Sequence, residues 1–229
     1  ARFRAALQHR HGRVACIPLL AYAIPMNEIV QHVDEGYFFF KIKIGSDPDR
    51  DGDREKMLQW DMARVSAIHE AIGRRETPYT RNGRLPYYFD ANGRYDSKDR
   101  LQRFLDHCRK IGAFDQIALI EEPFPESYKV PVGDLGVRLA ADESAHCDHD
   151  VEERIALGYG AIALKPIAKT LSMTLKIAGV AHRAGVPMCC ADLTVGPIQV
   201  DWNKNVAARL APLPGMTIGV LETNGHQNY

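Results

Sequence analysis

The sequence has no surplus of either charge: 29 Lys and Arg face 29 Asp and Glu, for a formal net charge of zero. Nothing electrostatic therefore favours nucleic acid or an anionic membrane surface as a partner. No run approaches the ~18 uninterrupted apolar residues that a spanning helix needs, which argues against a helical membrane protein. Cysteine is sparse and odd in number, at Cys16, Cys108, Cys147, Cys189 and Cys190, with no C-x-x-C pair. A disulfide framework is a poor fit, and reduced thiols in a cytoplasmic protein are expected. Neither a G-x-G-x-x-G nor a P-loop pattern occurs, which disfavours a doubly wound nucleotide-binding sheet. An apolar leader is lacking too, since residues 1–13 carry four Arg and two His without an apolar core.

What is present is an ordinary globular composition over 229 residues: 45% hydrophobic, 25% charged and 8% aromatic. That favours one large domain with an ample core. Short apolar runs alternate with longer amphipathic stretches. Strands are expected at 16–22, 37–44, 85–90, 116–121, 137–141, 161–165, 187–191 and 216–220, most of them apolar on both faces as in a parallel sheet. Helices are expected at 54–72, 97–111, 148–157, 170–184 and 197–210. Asp53, Ser97 and Asp148 stand where N-caps are wanted, and Gly112, Gly158 and Gly185 stand just past helix ends.

Eight strands, most followed by a helix, predict a (β/α)8 TIM-type barrel. Residues 14–229 form it, and residues 1–13 read as a remnant or linker helix. The first strand runs into its helix through Ile24–Pro25 with almost no loop. No helix pattern follows the eighth strand, so the C-terminal part of the barrel reads as incomplete.

Polar residues punctuate the ends of consecutive strands. The second ends in Lys41-Ile42-Lys43, the third in Asp90-Ala91-Asn92 and the fourth in Glu121-Glu122. The fifth ends in Asp142-Glu143-Ser144 and the sixth in Lys165. In a barrel these ends share one rim, which sets three carboxylates between two lysine-bearing edges. Convergent carboxylates repel unless a cation holds them, and an all-oxygen shell suits Mg²⁺, with Mn²⁺ as the substitute. A lysine beside a divalent cation and a second lysine has its neutral form favoured and can act as a base. The chemistry implied is removal of a proton alpha to a carboxylate, with metal stabilising the enediolate.

These five motifs, in this order, resemble the barrel of the enolase superfamily in its mandelate racemase/muconate-lactonizing branch. The resemblance runs from about Ile17 to Glu222. It implies Asp90, Glu121 and Asp142 as metal ligands and Lys43 and Lys165 as acid/base groups on opposite faces of the substrate. It implies Lys41 as the partner of the substrate carboxylate. Asn92, Glu122 and Glu143 would orient these groups or meet the substrate, and Asp192 and Glu222, at the ends of the seventh and eighth strands, would face the site. A lysine on the sixth strand, with no histidine on the seventh, resembles the two-lysine muconate-lactonizing subgroup, which includes dipeptide epimerases. The family's N-terminal α+β capping domain does not occur in these 229 residues.

The expected activity is Mg²⁺-dependent racemisation or epimerisation of an amino-acid derivative or dipeptide, and the expected partner is a small carboxylate substrate. β-Elimination, as in an acid-sugar dehydratase or a succinylbenzoate synthase, is the alternative with the same first step. A non-catalytic barrel that binds a metal or a partner is the alternative of another class. Barrels of this kind often associate, so a homo-oligomer is expected. His146-Cys147-Asp148-His149 is spaced too tightly for a tetrahedral zinc site. His226 reads as loop, and Tyr37-Phe38-Phe39-Phe40 reads as packing.

Overall fold

The computed structural model describes residues 3–191 and 196–223. Nine strands lie in a single sheet: β1 (Val14–Ile17), β2 (Leu19–Leu20), β3 (Phe40–Lys43), β4 (Tyr87–Asp90), β5 (Ile117–Glu121), β6 (Leu139–Ala141), β7 (Ala161–Leu164), β8 (Met188–Cys190) and β9 (Gly219–Glu222). Among the described residues six α-helices accompany them: α1 (Met26–Asp34), α2 (Arg54–Ile72), α3 (Lys98–Ile111), α4 (Asp148–Ala156), α5 (Leu171–Arg183) and α6 (Pro197–Ala207). Every strand pair is parallel, in the order β1-β9-β8-β7-β6-β5-β4-β3-β2.

The first barrel strand is interrupted at Pro18, which has no N–H to donate. Its first piece pairs with β9 and its second with β3, so the two ends of the sheet meet through this one interrupted strand. The fold is the expected (β/α)8 barrel. No helix follows β5 among the described residues; the connection there is an irregular loop packed through Phe124, whose ring stacks on Tyr128 at 4.5 Å.

Period-two alternation divides each strand between the barrel interior and the helices. On β4, Phe89 packs outward against Phe104 of α3 at 5.4 Å between ring centroids. Its neighbours Tyr88 and Asp90 face Lys41 on the other side. Of the run read as packing, Phe38, Phe39 and Phe40 are buried and Tyr37 is partly buried against the core. The five cysteines are present as thiols. Among the described residues, no helix is long and apolar enough to cross a membrane.

Several boundaries differ from expectation for identifiable reasons. The last strand lies at Gly219–Glu222, not 216–220, because Met216 and Thr217 are engaged elsewhere. Met216 bridges Thr80, and the Thr217 N–H donates to the Tyr79 carbonyl. The cap of α4 is Cys147, and Asp148 is the first helical residue. Asp150, three residues on from the cap, accepts the Cys147 N–H at 3.0 Å. Asp53 and Ser97 do cap their helices, and Gly112, Gly158 and Gly185 all take positive φ past helix ends. Residues 4–7 form one 3₁₀ turn.

Candidate active site at the C-terminal rim of the barrel

Register carries the site. Lys43, Asp90 and Glu121 are partners across β3, β4 and β5. Glu121 pairs with Ala140, two residues before Asp142, and Lys165 is the first residue after β7. The carboxylates of β4, β5 and β6 thus stand between a lysine pair on β3 and a lysine following β7.

Lys41 is almost fully buried and meets three carboxylates. Its Nζ lies 2.7 Å from Glu121 Oε1, 3.0 Å from Asp90 Oδ2 and 3.0 Å from Glu222 Oε2. Burial works against its charge, but Glu121, Glu222 and Asp90 outweigh it and hold the ammonium well above the usual lysine range. Lys43 lies 2.6 Å from the same Asp90 oxygen and also bonds Asn92 Oδ1. Asn92, with φ +43°, passes the link on: its Nδ2 donates to Glu143 Oε1 at 3.2 Å.

Lys165 pairs with Asp142 on the far side of the carboxylates. Burial again opposes its charge, and Asp142, then Glu121, more than offset it, so its pKa is raised. In the chain by itself the carboxylates, and not the neighbouring lysines, set the sign. Asp142 and Asp90 shift downward, since their lysine partners outweigh burial. Glu121 shifts upward because its complete burial, with Asp142 and Glu222 adding like charge, outweighs the opposing pull of Lys41.

Glu122 points away from this group and secures the next loop. Its Oε2 accepts from Asp142 N at 2.7 Å, Ser144 N at 3.1 Å and Ser144 Oγ at 3.0 Å. Two contacts were not anticipated. The Tyr88 hydroxyl donates to Glu121 Oε2 from within the barrel. Lys169 reaches Asp142, donating to its carbonyl oxygen at 2.6 Å and lying 3.4 Å from Oδ1. The i,i+4 spacing from Lys165 was the available signal, but Pro166 marks a strand end and hides the turn that brings the two lysines together.

Oxygens of Glu121, Asp142 and Glu143 lie within 4.8 Å of one another, close enough to share one cation. Asp90 does not join that trio; it pairs with Lys41 and Lys43. Glu143 Oε2 is buried with no hydrogen-bond partner, an uncompensated acceptor that a cation would satisfy. An all-carboxylate donor set fits a hard ion such as Mg²⁺. Elsewhere, His146 is exposed and pairs with Glu126 at 2.9 Å, while His149 is exposed and 3.9 Å from Glu152. Asp192 and His226 lie outside the described residues.

The model of the enolase C-terminal domain-like family matches residues 26–217. The chain belongs to that family. None of the curated proteins compared matches it. Among solved structures, it resembles the N-succinyl Arg/Lys racemase of Bacillus cereus with a TM-score of 0.77 at 16% identity, covering 99% of this chain and 56% of that one. A dipeptide epimerase from Methylococcus capsulatus, complexed with Mg ion, gives 0.70 at 20% identity, covering 99% and 63%. The muconate lactonizing enzyme of Pseudomonas putida gives 0.69 at 22% identity, covering 94% and 55%. These likenesses establish the shared fold. The chain spans less than two thirds of the length of each of these three structures.

Proposed function

We propose that the protein is a two-lysine member of this family, of the muconate-lactonizing subgroup. It moves the alpha proton of a small carboxylate substrate, racemising or epimerising an amino-acid derivative or dipeptide. The observation that carries this reading is the placement of Lys43 against Asp90 and Lys165 against Asp142, at the two ends of an arc that contains Glu121. Two lysines facing each other across a bound substrate can remove a proton from one face and return one to the other, which inverts a centre. The racemase and epimerase activities of two of the structural neighbours agree with this.

Glu121 and Asp142, with Asp90 or Glu143 completing the set, would hold Mg²⁺. When bound, the ion would supply positive charge to stabilise the negative charge developing on the substrate carboxylate. Lys41 presents a fixed positive charge beside the site. Asn92 holds Lys43 in place through its amide oxygen. Glu122, by taking up the Asp142 and Ser144 N–H groups, fixes the loop after β6.

The test is exchange of the alpha proton for deuterium in D₂O with Mg²⁺, over a panel of dipeptides and N-acylamino acids. Both enantiomers should exchange with the unmodified protein, and Lys165→Ala should abolish exchange from at least one. Retention of both by Lys165→Ala would remove the two-base assignment.

A further inference from the structure

Asp142 is one residue beyond β6, whose ladder to β7 ends at the Ala141–Ile162 pair. Side chains from two other segments take over where the sheet stops. Glu122 Oε2 accepts the Asp142 N–H at 2.7 Å. Lys169 Nζ donates to the Asp142 carbonyl at 2.6 Å, an oxygen that also takes the Ala145 N–H at 3.0 Å. The same ammonium stands 3.4 Å from Asp142 Oδ1. One side chain thus grips both the main chain and the carboxylate of a single residue.

Lys169 is itself well placed to do this. A turn closed by the Lys169 N–H on the Lys165 carbonyl, at 2.9 Å, brings the two lysines to the same carboxylate just before α5 begins. Its side chain is only 10% exposed, and among the described residues Asp142 is its one ion-pair partner. A nearly buried ammonium is costly unless its hydrogen bonds are used. Here they converge on Asp142.

We propose that Lys169 is a positioning residue of the metal site: it locks the Asp142 peptide and carboxylate so that the carboxylate faces Glu121 and Glu143. This rests on the reading of Asp142 as a metal ligand. Coulomb repulsion alone predicts that deleting a nearby ammonium tightens cation binding. A positioning role predicts the opposite, which makes the sign of the change decisive.

The experiment is calorimetric titration of Mg²⁺ into the metal-stripped full chain, with thermal melting of each metal-free variant beside it. Lys169→Met should weaken Mg²⁺ binding ~10–100-fold, the usual effect of removing a group that orients a ligand. The exposed-lysine control Lys56→Met should leave it unchanged. Unchanged or tighter binding by Lys169→Met overturns the proposal, and a lower melting temperature with unaltered affinity assigns Lys169 a purely structural part. Asp142→Asn separates the two levels of the argument. If the unmodified chain binds no Mg²⁺, or Asp142→Asn binds it equally well, the ligand assignment fails and the Lys169 proposal falls with it. If Asp142→Asn loses Mg²⁺ and Lys169→Met does not, only the Lys169 proposal fails.

Discussion

The ammonium of Lys41 lies 3.0 Å from Oε2 of Glu222, tying the strand after α1 to the last strand of the barrel. It bonds Glu121 and Asp90 at the same time, so one buried cation compensates three buried carboxylates. Lys41→Met should therefore cost ~3–5 kcal/mol, the range for breaking a buried ion pair from one side. Glu222→Gln leaves Lys41 with two partners and should cost less, ~1.5–3 kcal/mol, as for a hydrogen bond to a charged group. Urea unfolding at pH 7 measures both. Equal losses would mean that Lys41 does not hold the other two carboxylates.

A pH dependence follows from Asp61, buried in α2. Both its oxygens accept the Gly45 N–H, at 3.0 and 2.8 Å, and Oδ2 accepts the Tyr95 hydroxyl at 2.9 Å. Burial nevertheless dominates those bonds and pushes its pKa from 3.8 up to about 6. A raised carboxyl pKa means that the folded chain holds this proton longer than the unfolded one. Its contribution is then full below pH 3.8 and is lost as pH rises through about 6. Asp61→Asn cannot titrate, so the destabilisation it causes should shrink between pH 4 and pH 7, by up to ~3 kcal/mol. A penalty that grows over this interval would show that the hydrogen bonds, not burial, control the group.

Much of this arrangement was legible from residue order. Strands apolar on both faces exposed the parallel barrel, and the period of the rim residues exposed Lys41, Lys43, Asp90, Glu121, Asp142 and Lys165 as neighbours. Contacts that depend on a local turn were not legible. Lys169 joins Asp142 only because the chain after Lys165 makes one turn before α5. Glu143 joins the cation-sized trio and Asp90 does not, and no spacing reveals which oxygens will converge. The offset of β9 arose from the engagement of Met216 and Thr217 by 79–80, a contact between segments far apart in the chain.

Metal addition supplies a stability test independent of any substrate. A cation that binds only the folded chain stabilises it by RT ln(1 + [L]/Kd), about 2.7 kcal/mol at one hundred times Kd. Mg²⁺ should raise the melting temperature, EDTA should reverse the shift, and Asp142→Asn should abolish it. A shift of full size in Asp142→Asn would place the ion elsewhere.

Gly45 links the fold to the chemistry, because it follows Lys43 by two residues and has φ +81°. A Cβ there would lie 2.9 Å from Arg94 Cβ and 3.3 Å from the Ala91 carbonyl. Gly45→Ala must therefore bear both left-handed backbone strain and a clash against the loop after β4. Gly185, at φ +69°, has nothing within 4 Å of a built Cβ, so Gly185→Ala bears the strain alone, ~1–2 kcal/mol. Chemical denaturation should find Gly45→Ala the more destabilised of the two, and the difference isolates the clash. Ile44, which lies between Lys43 and Gly45, donates its N–H to the Asp90 carbonyl at 3.0 Å, so a shift at Gly45 bears directly on the Lys43–Asp90 pair. A misplacement near 1 Å costs on the order of 100-fold in rate. Alpha-proton exchange should fall by about that factor in Gly45→Ala and stay unchanged in Gly185→Ala; equal rates in the two would show that Lys43 is indifferent to the turn that follows it.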